Sequence, residues 1–228
     1  SLGLVGSEMC IRDSNKVKSL ILNRKLVGLV GGDHSTPYGA VRAVAEHYES
    51  FGVLHFDAHR DLREAYEGFE FSHASIMYNL LRDVPQMKRL VQVGVRDFCD
   101  AEQELAEREE RVVSFTDRAL SHARYAGRTW AEQCSEIVEQ LPEQVYISFD
   151  IDALEVQYCP TTGTPVVGGL TFNEAAYLIW RVVESGRRII GFDLVEVAPA
   201  HVGHIDEMVG ARMLYKLCCA TLSSQTSK

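Results

Sequence analysis

VLHFDAHRD, residues 53–61, joins a short apolar run to three polar side chains that recur at every second position. In an extended segment, successive side chains point to opposite faces, so Asp57, His59 and Asp61 all point the same way. The apolar run predicts a buried β-strand. The polar residues that close it predict a cluster of ligating groups at the end of that strand.

Three other apolar runs end in the same manner. The motifs that follow them are GGDHS (31–35), SFDID (148–152) and FDLVE (192–196). In an open α/β sheet, ligands bind at the carboxyl ends of the strands, where residues from separate strands meet. We therefore expect the His, Asp and Glu side chains of all four motifs to converge on one site.

Short apolar runs alternate with amphipathic stretches from Lys25 onward. The predicted strands are Leu26–Val30, Val53–Phe56, Leu90–Val95, Val145–Phe149 and Ile189–Leu194. The predicted helices are Gly39–Tyr48, His73–Arg82, Ala101–Arg111, Trp130–Leu141, Phe172–Glu184 and Glu207–Leu222. Strands separated by helices predict an α/β fold with a mainly parallel sheet that is covered on both faces. No sequence repeat, low-complexity tract or linker divides the chain, which indicates a single domain.

Composition excludes several classes of function. The chain has 228 residues, of which 46% are hydrophobic, and a formal charge of −9. An acidic chain is poorly matched to the phosphate backbone of nucleic acid, and no apolar run approaches the roughly 20 residues that a membrane span requires. The six cysteines show no CxxC pair, which favours reduced thiols in the cytoplasm over a disulfide framework or a zinc cage.

Residues 1–14, SLGLVGSEMCIRDS, have neither helical nor strand periodicity and lack the order of charge, apolar run and cleavage site of a signal peptide. They resemble a translated sequencing-adapter string. We interpret residues 1–14 as a non-native segment and residues 15–228 as one domain that lacks its N-terminal elements. The segment is expected to pack against nothing of consequence.

The spacing of the acidic residues indicates a metal centre. Asp57 with Asp61, and Asp150 with Asp152, place like charges on one face beside a buried strand, where they repel each other unless a cation lies between them. Carboxylates with a minority of imidazoles suit Mn²⁺. The set is too large for one tetrahedral zinc but sufficient for two bridged metals, which would orient and activate water. Four carboxylates and two divalent ions sum to zero charge, so an added hydroxide would favour a cationic substrate.

GGDHS, FDAHRD, SFDID with the downstream TGTP and GGL, and GFDLVEVAP together resemble the motifs of the ureohydrolase family, which contains arginases and agmatinases. The resemblance implies a three-layer α/β/α sandwich whose site holds two Mn²⁺ ions and hydrolyses a guanidinium to urea and an amine. By motif position, the implied metal ligands are His34, Asp57, His59, Asp61, Asp150 and Asp152. Glu196 corresponds to the glutamate that meets the guanidinium, and His73, in EFSHAS, to a proton-shuttling histidine.

The segment between Asp61 and His73, LREAYEGFEFS, is expected to border the tail of the substrate. It lacks the Asn/Thr/Ser-rich composition with which arginases bind the amino-acid end of arginine. Cys99 also replaces an acidic residue of arginases, two positions beyond Asp97. EFSHAS resembles the agmatinase pattern EFDHGT, so agmatine is our first choice of substrate.

Arg63 leaves a second substrate open. A guanidinium that faces the site would suit a carboxylate-tailed guanidine such as guanidinobutyrate, and Arg63 would then be a substrate-binding residue. The alternative is that Arg63 pairs with Glu64 or Glu67 at the surface.

Two other classes of protein are alternatives. A metal-dependent deacetylase has a related sheet architecture but generally uses one zinc and lacks the complete set of motifs. A catalytically silent family member would usually have lost a metal ligand, and all six are present here. The family resemblance also implies a homo-oligomer, a trimer or hexamer, that acts on a small guanidino substrate without a nucleic-acid or membrane partner.

Overall fold

A six-stranded parallel sheet forms the centre of the molecule. The structure, a computed structural model, describes residues 7–200 and 203–226, with residues 7–12 described by their backbone alone. The strands are β1 (Val27–Val30), β2 (Phe51–Phe56), β3 (Met87–Val93), β4 (Val112–Phe115), β5 (Gln144–Asp150) and β6 (Arg188–Val195). Their order is β1-β6-β5-β2-β3-β4, and every neighbouring pair is parallel, which confirms the predicted sheet.

Eight α-helices in the described part of the chain cover this sheet. They are α1 (Ser7–Leu22), α2 (Tyr38–Ala45), α3 (Ile76–Asp83), α4 (Asp100–Arg108), α5 (Asp117–Tyr125), α6 (Trp130–Glu139), α7 (Phe172–Glu184) and α8 (Ile205–Ser223). Short 3₁₀ helices occur at His73–Ser75, Ile151–Ala153 and Val156–Tyr158. Within residues 7–200 and 203–226, no helix has the length and apolar character needed to cross a membrane.

The sheet separates two apolar layers. Helices α1, α2 and α3 pack on one face, and α6, α7 and α8 pack on the other. In β2, Phe51 and Val53 point into the first layer, while Leu54 and Phe56 point into the second. A strand buried on both faces reads as a mostly apolar run in the sequence. The three-layer α/β/α sandwich is confirmed.

Strand β4 and helix α5 are not predicted by the sequence patterns. β4 has four residues at the edge of the sheet, and all of its side chains are half-buried. Its side chains neither alternate between buried and exposed nor are all fully buried. The strand therefore lacks both patterns by which a strand is recognised in a sequence. Helix α5 follows directly, and its N-cap Thr116 accepts a hydrogen bond from Ala119 N. Because β4 lies at the far edge from β1, both elements are remote from most of the predicted site.

Helix α1 corrects the expectation for the N-terminus. The sequence predicts no regular structure for residues 1–14, whereas α1 begins at Ser7. No glycine or proline interrupts residues 7–22. Once the later turns of the helix are fixed by packing, the helix can extend toward the N-terminus, because each added residue forms one more backbone hydrogen bond. The buried anchors are Val17 and Ile21, which pack in the same apolar layer as α2. That residues 1–14 are non-native stays a proposal.

Truncating a buried anchor and deleting the first fourteen residues are expected to have different effects on stability. Ile21→Ala should lower the free energy of unfolding by about 2 kcal/mol, because it removes buried methyl and methylene groups. Deletion of residues 1–14 should leave that free energy unchanged, since both anchors are retained. Chemical denaturation measures both variants. A deletion that destabilised the chain as much as Ile21→Ala would show that residues 1–14 belong to the packed domain.

Candidate active site

The four polar motifs meet at the carboxyl edge of the sheet. His34 follows β1, residues 57–61 follow β2, Asp150 ends β5 and Glu196 follows β6. Because β1, β6, β5 and β2 are neighbours in that order, their ends deliver these side chains to one place. The structure brings together all six residues predicted as metal ligands, and all of them except His59 are buried.

One half of the cluster is centred on His34. Its Nδ1 lies 3.0 Å from Asp57 Oδ2, 3.1 Å from Asp150 Oδ2 and 3.2 Å from Asp61 Oδ2. No hydrogen bond of acceptable geometry joins this nitrogen to any described residue. A buried nitrogen that lacks a hydrogen bond and faces three carboxylate oxygens fits a cation shared by all four groups.

The other half is centred on His59. Its Nδ1 lies 3.1 Å from Asp152 Oδ2 and 3.3 Å from Asp57 Oδ1. Asp57 therefore belongs to both halves, with one carboxylate oxygen toward each histidine. Ala58 N donates to Asp152 Oδ1 at 3.0 Å, and Asp152 N donates to Asp150 Oδ1 at 2.9 Å. These bonds leave the second oxygen of each carboxylate for the centre of the cluster.

Two residues with left-handed backbone conformations hold the cluster in place. Asp61 has φ +55° and Glu196 has φ +61°, values that non-glycine residues rarely adopt. Asp61 O accepts hydrogen bonds from Met77 N and Tyr78 N in α3. Glu196 N donates to Gly32 O, which ties the turn after β6 to the loop after β1. The surrounding hydrogen bonds offset backbone strain of the kind that clusters at functional sites.

Burial makes two of the carboxylates, Asp61 and Asp150, hard to ionise without a cation. It raises the pKa of Asp61 to about 7, and the charge of Asp57 adds to the effect. Burial, followed by the charges of Asp152 and Asp57, raises the pKa of Asp150 well above its usual range. A divalent cation between the carboxylates would favour their charged forms and displace the protons. The donor set, mostly hard oxygens with two imidazoles, therefore fits divalent ions of the Mn²⁺ type.

His55 lies beside the first half of the cluster and has no role in the sequence analysis. Its Nε2 lies 2.8 Å from Asp57 Oδ2, close enough to count among possible metal ligands. The amide oxygen of Gln92 accepts from Arg60, so the amide nitrogen must be the atom that faces His55 Nδ1 at 3.2 Å. Nδ1 is thus an acceptor and Nε2–H donates to Asp57. His55 orients a ligand, and the period of two that aligns Asp57 with Asp61 could have found it.

A cleft of about 140 Å³ opens over the cluster. It is lined by His34, His59, Asp61, Arg63, Tyr66, His73, Ala74, Asp97, Phe98, Glu102, Asp150, Thr164 and Glu196. The two residues predicted as catalytic, His73 and Glu196, therefore lie in the same cleft as the histidines of both halves. Arg63, predicted as a substrate-binding residue, also lines it.

Glu196 is held at the wall of this cleft. Its Oε1 accepts from His34 N at 2.8 Å, and its main-chain oxygen accepts from Thr162 Oγ1 at 3.0 Å. The other carboxylate oxygen, Oε2, faces Gly163, where an added Cβ would lie 3.8 Å away. Burial raises the pKa of Glu196, so a cation in the cleft would favour its charged form.

His73 and Arg63 meet around one aromatic ring. The ring of His73 lies edge-on to that of Tyr66, with the centroids 5.3 Å apart. The guanidinium of Arg63 lies over the same ring, 5.2 Å from its centroid. Arg63 Nε is 3.5 Å from Glu102 Oε2, so its ion-pair partner among the described residues is in the cleft and is not one of the glutamates adjacent in sequence.

Glu102 is a further cleft residue that the sequence analysis does not single out. It is buried in the first turn of α4, where its carboxylate accepts from Cys99 N at 3.0 Å and from Leu62 N at 3.1 Å. In sequence it reads as an ordinary acidic residue at a helix start, which is favourable at almost any helix N-terminus. Only the packing of α4 beside the segment after β2 shows that it lines the site.

The fold and the two histidine–carboxylate halves define a three-layer α/β protein with a site suited to two divalent cations. The model of the arginase family matches residues 6–219. The chain therefore belongs to the arginase family. The predicted membership in the ureohydrolases, near their agmatinase-like members, is confirmed.

Individual relatives agree with this assignment. The chain is 36% identical over 200 residues to N(1)-aminopropylagmatine ureohydrolase of Thermus thermophilus, covering 87% of this chain and 63% of the relative. It is 35% identical to agmatinase of Cronobacter sakazakii, covering 75% of this chain and 51% of the relative. Proclavaminate amidino hydrolase from Streptomyces clavuligerus has a similar structure, with a TM-score of 0.79, 26% identity, and coverage of 94% of this chain and 70% of that one. The chain spans less than two thirds of the length of the two sequence relatives.

The position of Asp57 between the two halves predicts different metal losses for two substitutions. Asp57→Asn should weaken both of two bound Mn²⁺ ions, because its oxygens face both histidines. Asp152→Asn should weaken only the ion beside His59. Each affected Mn²⁺ affinity should fall by at least about 10-fold. This is the smallest loss expected when a residue that only orients a metal ligand is replaced, and a ligand itself should matter at least as much. Calorimetric titration with Mn²⁺ resolves the two steps, and equal losses in both variants would contradict the shared role of Asp57.

Proposed function

We propose that this chain hydrolyses the guanidino group of a small cationic substrate, with agmatine as the first choice, to urea and an amine, using two Mn²⁺ ions. The observation that carries the proposal is the pair of histidine–carboxylate halves that share Asp57 beneath a cleft lined by Glu196 and His73. The names of the relatives, an agmatinase and an aminopropylagmatine ureohydrolase, support the same chemistry.

Each ion would be held by one half of the cluster. The first half offers His34, Asp57, Asp61 and Asp150, and the second offers His59, Asp57 and Asp152. When bound, two divalent cations supply an activated water molecule and stabilise the negative charge that develops during hydrolysis. Mn²⁺ is favoured over Zn²⁺ because the donors are mostly hard oxygens.

Glu196 is the group that orients the substrate. A planar guanidinium donates two parallel N–H bonds to a carboxylate, which fixes the plane of the group and the position of its central carbon. The bond from His34 N to Oε1 sets the carboxylate in one orientation at the wall of the cleft. Because burial disfavours the charge of Glu196, a cationic partner stabilises it more than a neutral one would.

His73 is the group that carries a proton. An imidazole is the side chain best suited to accept and release a proton in the neutral range, and the departing amine requires one. His73 lines the cleft and is held by the ring of Tyr66 at the start of the 3₁₀ helix. It can therefore serve the reaction without being a ligand of either ion.

The cleft lining favours a cationic tail on the substrate. Asp97 and Glu102 add two carboxylates to the wall beyond the cluster, and Arg63 is the only lysine or arginine among the described residues that line the cleft. Arg63 nevertheless provides a specific reason for a second candidate, a carboxylate-tailed guanidine such as guanidinobutyrate. Its side chain is 39% exposed and could leave Glu102 to meet a carboxylate.

The setting of the reaction is also a proposal. We infer a cytoplasmic homo-oligomer, a trimer or hexamer, from the resemblance to the family. The five cysteines whose side chains are described form no disulfide, which fits a reducing compartment.

Glu196→Gln should separate substrate orientation from metal binding. The variant keeps the size of the side chain but loses the charge that meets the guanidinium, so urea release should fall by at least about 100-fold. Both ions should remain, because Glu196 contacts the backbone of His34 and none of the ligand atoms. Urea assay and metal analysis of the same preparation test this. Near-normal turnover on the best substrate would end the assigned role.

His73→Asn should remove a proton carrier, which typically contributes about 10²–10⁴-fold to rate. Metal content should be unchanged. Added imidazole should restore part of the lost turnover, because a small diffusible base can enter the space left by the ring. Glu196→Gln is the matched control and should show no rescue. If imidazole had no effect on His73→Asn, His73 would have a structural rather than a proton-transfer role.

A panel of guanidines tests the proposed substrate directly. With Mn²⁺ added, the chain should release urea from agmatine or N(1)-aminopropylagmatine with a higher kcat/KM than from guanidinobutyrate or arginine. Arg63→Met should lower kcat/KM for guanidinobutyrate more than for agmatine, because only the former has a carboxylate to pair with. A clear preference of the unsubstituted chain for guanidinobutyrate would support the second candidate. Urea release from none of them would indicate a catalytically silent family member.

A further inference from the structure

A row of polar side chains crosses the apolar sheet next to the site. The strand registers pair Ser114 with Gln92, Gln92 with His55, His55 with Ser148, and Ser148 with Asp193. All of these except Ser114 are buried. We call these five residues the polar row. Buried polar groups cost free energy unless they are hydrogen-bonded, so a continuous row of them in a sheet core calls for a physical reason.

The hydrogen bonds at one end of the polar row have a definite direction. Phe149 N–H and Ser148 Oγ–H both donate to Asp193 Oδ1, at 3.2 Å and 3.0 Å, which is the arrangement of an Asp193 that is ionised or protonated on Oδ2. The single proton of the Ser148 hydroxyl is used in this bond. Ser148 Oγ is left as the acceptor for His34 Nε2, 2.9 Å away, which therefore carries the proton.

This direction determines what His34 presents to the carboxylates. A neutral imidazole has one N–H and one lone pair, so a proton on Nε2 places the lone pair on Nδ1. Nδ1 is the atom that lies within 3.2 Å of Asp57, Asp61 and Asp150. A lone pair aimed at carboxylate oxygens is unfavourable by itself and favourable with a cation between them.

A comparison with His55 shows that the group hydrogen-bonded to the ring nitrogen far from Asp57 determines which nitrogen carries the proton. The rings of His34 and His55 are neighbours, with centroids 5.2 Å apart, and both face Asp57 Oδ2. Behind His55 stands a donor, the amide nitrogen of Gln92, so His55 turns an N–H toward Asp57. Behind His34 stands an acceptor, Ser148 Oγ, so a neutral His34 turns a lone pair toward Asp57. Two histidines with the same carboxylate in front thus have opposite roles.

We propose that Ser148 and Asp193 are positioning residues that fix the tautomer of His34 and thereby build the ion site in the first half of the cluster. The inference rests on the proposed two-ion centre and deepens it. It predicts a selective effect, because His59, the histidine of the second half, has no contact with Ser148 or Asp193 among the hydrogen bonds of the described residues. Disturbing this end of the polar row should weaken one ion and leave the other.

Ser148→Ala tests the proposal because it removes only the hydroxyl that accepts from His34. Calorimetric titration of the full chain with Mn²⁺ should show one of two binding steps weakened by about 10–100-fold and the other unchanged. Asp193→Asn should keep both steps, since the amide oxygen can replace Oδ1 as the acceptor for Phe149 N and Ser148. Thr221→Val is the matched control. It removes a buried hydroxyl of α8 that makes no side-chain hydrogen bond among the described residues, and should also keep both steps.

A second measurement reads the tautomer itself. Long-range ¹H–¹⁵N spectra of the chain loaded with diamagnetic Cd²⁺ should show His34 protonated on Nε2. Two bound ions with unchanged affinities in Ser148→Ala, or a His34 protonated on Nδ1, would overturn the inference while leaving the proposed function intact. If the unsubstituted chain bound no divalent ion, the proposed function would fail and the inference with it.

Discussion

Mutual repulsion of buried carboxylates is the constraint on which this site depends. Aspartates follow or end two neighbouring strands, β2 and β5, so the parallel sheet brings their charges together where little water can screen them. The residues concerned are Asp57, Asp61, Asp150 and Asp152. Protons relieve part of the repulsion, as the raised pKa values of Asp61 and Asp150 show. Divalent cations would relieve the repulsion while leaving the carboxylates charged. The same sheet that brings the aspartates together therefore favours the metal centre on which the proposed chemistry depends.

The groups around the carboxylates are arranged in two tiers. Above them, the turn after β6 places Glu196, and the 3₁₀ helix before α3 places His73, in a cleft that could bind a guanidinium and transfer a proton. Below them, the polar row presents an acceptor to His34 and a donor to His55. The lower tier decides which histidine offers a lone pair and which offers a proton. The residue type alone does not determine this, because both residues are histidines whose rings face Asp57.

The sequence predicted most of the site because its ligands are specific residue types at strand ends, spaced by two. The same local pattern could not reveal Glu102, and it gave no separate role to Asp193, although the FDLVE motif contains that residue. Glu102 reads as a common helix-start acid, and Asp193 lies in an apolar strand where its role depends on Ser148 and His34 of other segments. The sheet was predicted because its central strands are mostly apolar runs. Strand β4 was not, since a half-buried edge strand has no such run. Helix α1 was missed because its anchors lie after the irregular first residues.

Anomalous diffraction from crystals of the chain grown with Mn²⁺ would locate the cations among the aspartates. Two peaks about 3.5–4 Å apart are expected, one on the His34 side of Asp57 and one on the His59 side. Both peaks should lie beneath the cleft that contains Glu196. A single peak, peaks that Asp57 does not join, or no anomalous signal among the aspartates would contradict the proposed two-ion centre.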